Sequence, residues 1–389
     1  MNKKLKVLEV QDCFYPNVDG PIEVMNGIAR TFEKNGYGEV DILVPEYPEN
    51  VEVEGLKIYR CKSLPTRGGY RAAMPWFDGR VKKLIKRGGY DIIHLHSPFL
   101  LPRYALKIGK KLNIPVVFTV HTKFRDEAYN LVKSKGLRNF VMNYILTTID
   151  GSDGITSVCK GMIDTLQDYG SKRGDDIKVI YNATAMPRGM ADPERVEEIR
   201  KKHSLDGKVT FMFAGRLVEA KNVQFSLKAL GEVKRRGFDN FKFLIIGDGV
   251  YGKTLEQLAQ SEGIAENVEF VGRISDKKLI AEYFAAGDLL LFPSVFDNAS
   301  IVLLESAANG LPCATAAGSC SAERVENGVN GFAWELSESV WADEIAEILK
   351  NPSTLKAVSE GAKDNFYLGW DEVTKEYYEY YQTVIQNKK

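Results

Sequence analysis

The sequence predicts an α/β protein made of two Rossmann-like, doubly wound domains that face a central cleft. Three observations predict it. Short β-rich runs alternate with amphipathic helical stretches, which is the pattern of parallel strands joined by crossover helices. That alternation runs through the chain twice, with a loop around Asn182–Asp192 between the two series. The length, 389 residues, is too great for one ordinary core and suits two domains.

The first series opens with strands near Leu5–Val10, Val40–Val44 and Lys57–Cys61. It continues with Asp91–His96 and Val116–Val120 and closes with Gly154–Val158 and Lys178–Tyr181. Apolar residues at helical spacing put helices between them, as in Ile22–Lys34 and Arg103–Leu112. The second series has strands near Thr210–Ala214, Lys242–Ile246, Val268–Val271, Asp288–Phe292, Pro312–Ala316 and Gly331–Trp334. Within it a helix starts near Ser300 and stops at Gly310, ahead of Pro312. The aromatic-rich tail from Trp370 to Tyr381 reads as a last helix. Residues 1–187 and 188–369 are the expected domains.

Composition narrows the function. The chain is 44% hydrophobic and 27% charged, as globular proteins are. It has no apolar run long enough to span a bilayer and no signal-peptide pattern after Met1-Asn2-Lys3-Lys4, so a cytoplasmic location is expected. The five cysteines (Cys13, Cys61, Cys159, Cys313 and Cys320) form no C-x-x-C pair and read as reduced thiols. Basic and acidic residues balance at 52 each, which argues against a nucleic-acid partner. The balance is uneven along the chain: residues 1–187 carry 28 basic and 21 acidic side chains, and the remainder is net negative by the same margin. Between Arg80 and Arg138 there are 14 basic residues against three acids, Asp91, Asp126 and Glu127.

Doubly wound sheets bind ligands at the carboxyl ends of their strands. The first strand is followed by CFYPNVDGPIEV, with one glycine before the helix, so the G-x-G-x-x-G of a dinucleotide site is missing and nicotinamide chemistry is not expected. IIGDG, Ile245–Gly249, is a weak signal that any tight βα turn could produce. FPSVFDNASIVLLESAANGLP, Phe292 to Pro312, is more informative, because Glu305 interrupts an otherwise oily helix and Asp297 precedes it by eight residues. Free N–H groups and the helix dipole near Ser300 favour a phosphate, and the two acids can face one ligand at two points. The competing reading for Glu305 is a buried ion pair with a nearby Arg.

In FAGRLVEAKN, Phe213–Asn222, Arg216 and Lys221 follow a strand end, where a guanidinium and an ammonium suit adjacent phosphates; solvated surface charge is the alternative. In VFTVHTKF, His121 follows a β-branched strand and either meets a sugar hydroxyl or assists the reacting centre, or else is a satisfied core histidine. His94 and His96 share one strand face, but no third ligand of suitable spacing is evident, so no metal site is expected. Neither a G-x-S-x-G elbow nor a Walker loop is found.

Taken in order, FYPNVDG, IIHLHSPF, VHTKF, AGRLVEAKN, IIGDG, VEFVGRI, FDNASIVLLESAANGLP and GWDEVTKEYYEYY resemble the retaining, nucleotide-sugar-dependent glycosyltransferases of the GT-B fold, family 4-like, a group that includes bacterial diacylglycerol glycosyltransferases. The resemblance implies that Arg216 and Lys221 hold the donor diphosphate, that Glu305 bonds the ribose, and that Asp297 touches the sugar in a place where the family usually has Glu. It adds Arg273, Asn298, Ala299, Ser300 and Ile301 to the donor side and puts His121 near the donor sugar. Gly20 stands where paired glycines normally approach the β-phosphate, and Pro21 after it removes an N–H. The last helix, 370–389, is expected to cross back onto the first domain.

The implied reaction moves a hexose, expected from a UDP-linked donor, with retention at the anomeric carbon. The leaving phosphate helps to deprotonate the acceptor hydroxyl, Arg216 and Lys221 stabilise the developing charge, and domain closure excludes water. No metal or other cofactor is implied. Family members that glycosylate lipids carry a similar HSPF and a basic first domain, and RVKKLIKR and RYALKIGKKL set Lys and Arg beside Leu and Ile as a helix on an anionic membrane would need. The expected acceptor is therefore a membrane lipid or lipid-linked glycan, with peripheral contact to the inner face of the cell membrane. The alternatives are a soluble or polysaccharide acceptor, a nucleotide-sugar epimerase of the same shape, and a binding protein that kept the fold without the chemistry.

Overall fold

The protein is described from a computed structural model covering residues 3–17, 20–66, 69–124 and 134–388. Val18 and Asp19 of the early loop, and Arg125, Asp126, Glu127 and Lys133 of the basic stretch, lie outside the described residues. Two compact units divide it, Met1–Ala183 with Trp370–Lys389, and Thr184–Gly369. Residues 184–187, read from the sequence as part of the first domain, belong to the second: Thr184 bridges to Gly369, and the Tyr367 hydroxyl donates to the Met186 carbonyl at 3.2 Å.

The first unit holds a parallel sheet of β1 (Leu5–Val10), β2 (Gly38–Pro45), β3 (Lys57–Cys61), β6 (Ile92–Leu95), β7 (Val116–Val120), β8 (Gly154–Ser157) and β9 (Ile177–Val179). Its strand order is β3-β2-β1-β6-β7-β8-β9. A small antiparallel hairpin, β4 (Ser63–Pro65) with β5 (Arg71–Ala73), stands apart from the sheet. The sequence reading missed it because three-residue strands offer no period to count. The second unit holds β10 (Val209–Ala214), β11 (Phe241–Ile246), β12 (Val268–Gly272), β13 (Leu289–Phe292), β14 (Cys313–Ala316) and β15 (Phe332–Trp334), ordered β12-β11-β10-β13-β14-β15. Both sheets thus wind out one way from their first strand and then reverse, as Rossmann sheets do.

The central strands are buried along their whole length, β10 as VTFMFA and β7 as VVFTV, because helices cover both faces. Local chemistry sets the helix ends. Asp192 caps helix Pro193–Lys202 with Pro193 in its first turn, and Asp276 accepts from the Lys278 and Leu279 amides to start Lys277–Ala286. The last helix, Trp370–Asn387, packs in the first unit through buried Tyr377, Tyr378 and Tyr381. There the Tyr378 hydroxyl donates to the Lys3 carbonyl at 2.9 Å, and a Cβ on Gly27 would fall 2.1 Å from the Trp370 ring, so only glycine admits that indole.

Candidate functional site

Ligands of open α/β sheets bind where strand order reverses. In the second unit that point lies between β10 and β13, and the loops leaving these two strands are tied together. Lys221 Nζ meets Asp297 Oδ1 at 2.5 Å, the Asn222 side-chain Nδ2 donates to the Pro293 carbonyl at 3.3 Å, and the Ser294 hydroxyl donates to the Ala220 carbonyl at 3.3 Å. The Lys221 ammonium also sits 5.6 Å from the centre of the Phe292 ring. The two charged side chains are 19% and 18% exposed, open enough for a ligand and closed enough to feel one. The second carboxylate oxygen of Asp297, Oδ2, is buried and has no hydrogen-bond partner among the described residues.

Asn298, Ala299 and Ser300 follow in the same loop, all part-exposed, and Ile301 opens helix Ile301–Ala308. Ser300 occupies its N-cap without a side-chain capping bond, so its hydroxyl does not take up the first-turn N–H groups. Glu305 sits on this helix part-exposed between buried Leu304 and Ser306. The carboxylate is therefore not sealed in an oily run.

Arg216, two residues past β10, and Arg273, just past β12, are exposed, and no ion pair engages either among the described residues. The Arg216 loop is braced by its neighbour, where the Leu217 amide donates to the Asp248 carbonyl at 2.7 Å. Gly247 and Gly249 make this possible: at φ 142 and 153, Cβ atoms there would fall 1.9 Å from the Gly215 carbonyl oxygen and 2.3 Å from that of Leu217. The IIGDG glycines are accounted for by loop packing.

In the first unit the reversal lies between β1 and β6. Asp12, just past β1, accepts from the Leu101 amide at 2.9 Å and the Ser97 hydroxyl at 2.7 Å, anchoring the first turn of helix Leu100–Leu112. Burial pushes its pKa up to about 6 against those bonds. Gly20 opens helix Gly20–Lys34, and a Cβ there would meet nothing within 4 Å, so internal packing does not demand the glycine.

His121, directly after β7, is 8% exposed and joins a cluster the sequence reading did not assemble. Its Nε2 lies 3.0 Å from His96 Nδ1; His96 Nε2 is in hydrogen-bond contact with Glu9 Oε2, and His94 Nδ1 lies 3.3 Å from Glu9 Oε1. Thr119 closes the far side at 2.6 Å from His94 Nε2, and the Tyr381 hydroxyl reaches His94 Nδ1 at 2.7 Å. The third group beside His94 and His96, expected to be missing, is therefore Glu9, brought in because β1 and β6 pair with Glu9 in register with His94. Their nitrogen and oxygen atoms are engaged with one another and with Thr119, His121 and Tyr381. The sequence did hold a signal: a lone carboxylate in LKVLEV, a strand buried at the sheet centre, has to meet a partner.

Burial alone would raise the Glu9 pKa, but the charges of His94 and His96 and their hydrogen bonds outweigh it and hold it at about 2. Burial pushes His94 down to about 4, against the pull of Glu9, and burial followed by the neighbouring His96 and His94 holds His121 well below the ordinary histidine value.

Comparison with known proteins bears on both units. Residues 20–185 match the family model Glycosyltransferase Family 4, and residues 195–365 match Glycosyl transferases group 1. The chain is 26% identical over 318 residues to the alpha-monoglucosyldiacylglycerol synthase of Streptococcus pneumoniae, covering 77% of this chain and 68% of that protein. It is 24% identical over 393 residues to the N-acetyl-alpha-D-glucosaminyl L-malate synthase of Bacillus anthracis, covering 98% of each. Among solved structures, Anabaena Alr3699/HepE in complex with UDP superposes with a TM-score of 0.74 at 16% identity, over 97% of this chain and 100% of that one.

Proposed function

Since the chain belongs to the family 4-like glycosyltransferases of the GT-B fold, we propose that it moves a hexose from a UDP-linked sugar to the hydroxyl of a membrane lipid or lipid-linked glycan, with retention at the anomeric carbon. The observation that carries this reading is the Lys221–Asp297 pair at the strand reversal of the second unit, with the unpartnered Asp297 Oδ2 beside it. A cation and an acceptor already juxtaposed are what adjacent phosphates and a sugar hydroxyl need.

Donor binding exchanges partners. The pair is a part-exposed ion pair worth about 1 kcal/mol or less, whereas a charge-assisted bond from Lys221 to a phosphate contributes roughly 1.5–3 kcal/mol. The exchange is therefore favourable, and it turns Asp297 toward the sugar. Arg216 and Arg273 add positive charge from the ends of β10 and β12 in the same sheet, and the backbone from Asn298 to Ile301 offers N–H groups to the diphosphate. Glu305 bonds the ribose hydroxyls. Gly20 leaves room for a phosphate at the start of its helix, and His121 serves the transfer from the first unit. The steps assigned to these residues are charge stabilisation and orientation, and the leaving phosphate oxygen takes the acceptor proton. Named relatives and structural neighbours support the donor and acceptor classes, one being an alpha-monoglucosyldiacylglycerol synthase and one holding UDP.

The lipid side draws support from the first unit's surface. Helices Gly79–Arg87 and Leu100–Leu112 bury Val81, Ile85, Leu101, Ala105 and Ile108 in the core, so their apolar faces are not available to a bilayer. Exposed Lys82, Lys86, Lys107 and Lys111 line a groove between them, beside half-exposed Trp76, and Phe77 nearby is 74% exposed. Lysines worth about 1 kcal/mol each near an anionic surface, with aromatic side chains to dip into it, suit reversible contact. No helix among the described residues is long and apolar enough to cross a membrane.

Incubation with labelled nucleotide sugars and diacylglycerol in anionic vesicles tests the proposal. Label is expected in the lipid with α configuration from an α-linked donor. A changed sugar without transfer, or binding alone, would overturn it in favour of an epimerase or a binding protein. Co-sedimentation with anionic vesicles at low salt, lost at high salt and with neutral lipid, tests the membrane contact.

A further inference from the structure

We infer that Asn222 and Ser294 are positioning residues of the donor site: they lock the loop after β10 to the loop after β13 on either side of Lys221, and so fix where its ammonium stands. The inference rests on the proposed contact of Lys221 with the donor diphosphate, but the lock itself is readable without any ligand.

The backbone leaves the Asn222 side chain unexplained. Lys221 ends a single 3₁₀ turn, Glu219–Lys221, and helix Val223–Arg235 begins two residues on. Asn222 alone changes the chain direction between them, in the left-handed region at φ 58 and ψ 30, with its backbone N–H donating to the Glu219 carbonyl at 2.9 Å. Asparagine adopts that conformation more readily than most residues with a Cβ, but glycine adopts it at less cost, so the turn does not call for an amide side chain. Helix capping does not call for it either. Asn222 stands at the N-cap, where an asparagine normally accepts from a first-turn N–H, and here its side chain makes no such bond. It reaches across to the other loop instead, where Nδ2 donates to the Pro293 carbonyl at 3.3 Å. A carbonyl only accepts, which settles that the amide nitrogen and not its oxygen faces Pro293.

A second tie mirrors the first. Ser294 is fully buried, and its hydroxyl donates to the Ala220 carbonyl at 3.3 Å. The residues directly before and after Lys221 are therefore held by Pro293 and Ser294, the first two residues past β13. The same loop carries Asp297, three residues beyond Ser294, whose Oδ1 meets the Lys221 ammonium at 2.5 Å. Lysine has a long stem with many rotamers, so an ammonium is placed reproducibly only when the backbone at the root of that stem is fixed. Both ties are neutral hydrogen bonds and each is modest in itself. Their weight is positional, because a displacement of about 1 Å in a binding group can cost about 100-fold in rate.

Asn222→Gly in the full-length protein keeps the left-handed turn and removes the tie. Without ligand, amide exchange is expected to rise in residues 293–300 as well as in 216–222, and the rise in 293–300 is the informative one because a glycine loosens its own loop regardless. Affinity for UDP, read by calorimetric titration, is expected to fall about 3–10-fold. In a Lys221→Ala background the same substitution should weaken UDP no further, since no ammonium is left to place; a residue that merely holds the fold would weaken it again by the same factor. Ser294→Ala is expected to repeat all three results. Exchange that rises in 216–222 alone, or an undiminished loss of affinity from Asn222→Gly once Lys221 is gone, overturns the positioning role. Unaltered UDP affinity in Lys221→Ala overturns instead the diphosphate contact of Lys221, and exchange in the ligand-free protein then decides the lock by itself.

Discussion

The two sheets share one strand order, and each sets a cluster of charged and polar side chains at its reversal, yet the clusters have opposite characters. In the first unit, Glu9, His94 and His96 are at most 2% exposed and bonded to one another, with Thr119, Tyr381 and His121 around them. In the second, Lys221 and Asp297 are about one-fifth exposed, and one carboxylate oxygen has no partner among the described residues. Topology alone therefore supplies a place for polar groups, and burial decides their use. A sealed, mutually satisfied cluster holds its shape and can orient a neighbour, whereas an open one with an unmet acceptor changes partners when a ligand arrives.

The contrast breaks first on stability. Glu9→Leu leaves two buried ring nitrogens, of His94 and His96, without their acceptor and should cost about 3–5 kcal/mol, concentrated in the first unit. Asp297→Asn, at an open site, should cost less than about 1 kcal/mol. Hydrogen exchange read peptide by peptide separates the units, and equal effects in both would remove the distinction. Acid sharpens the same comparison. His94 at about 4 and His121 well below normal are both neutral in the folded chain where the unfolded chain is protonated, so their stabilisation is complete above the ordinary histidine value and is lost as pH falls through that window. Asp12, raised to about 6, opposes this by binding its proton more readily when folded, and roughly offsets His94, leaving His121 to decide a net loss. Below the ordinary carboxylate range Glu9 adds its own loss as pH approaches 2. The second unit should lag, because burial raises Asp288 and so favours the folded form as pH falls. Exchange measured from pH 7 to pH 4 checks the order.

Next in size is the effect at the open site. Lys221→Ala and Arg216→Ala should each weaken UDP binding by roughly 1.5–3 kcal/mol, with exchange in both units unchanged because both residues sit in a surface connection. Calorimetric titration with UDP reads the affinity. Unaltered affinity in the double variant would take the diphosphate away from this loop.

How far the sequence carried the reading follows the same division. The thirteen strands expected from β-rich runs are found within a residue or two, because parallel strands buried on both faces are near-continuous apolar segments. Lys221 and Asp297 were singled out separately for their places after strand ends. Their contact was not legible, since 76 residues separate them and only the pairing of β10 with β13 joins the loops. The buried cluster of the first unit was least legible. His94 and His96 stood out by alternation, but Glu9 reaches them through strand register and Tyr381 through a helix nearly three hundred positions away. Patterning in a sequence reports faces and periods, and it does not report which strands become neighbours.

The smallest expected effect tests the boundary between the two characters at Glu305. This residue shares its helix with buried Leu303, Leu304 and Ser306 yet is itself part-exposed, so it could belong to either kind of site. Glu305→Gln keeps the length and the helix but replaces an ionised acceptor of two hydroxyls with an amide that offers one acceptor oxygen. If the carboxylate bonds a ribose, affinity for UDP should fall by about 1 kcal/mol, roughly fivefold, while affinity for inorganic pyrophosphate, which lacks a ribose, should not change. If it serves the fold instead, exchange in helix Ile301–Ala308 should rise and both affinities should fall together. The ratio of the two affinities discriminates, because a general loosening of the loop cannot weaken the nucleotide alone.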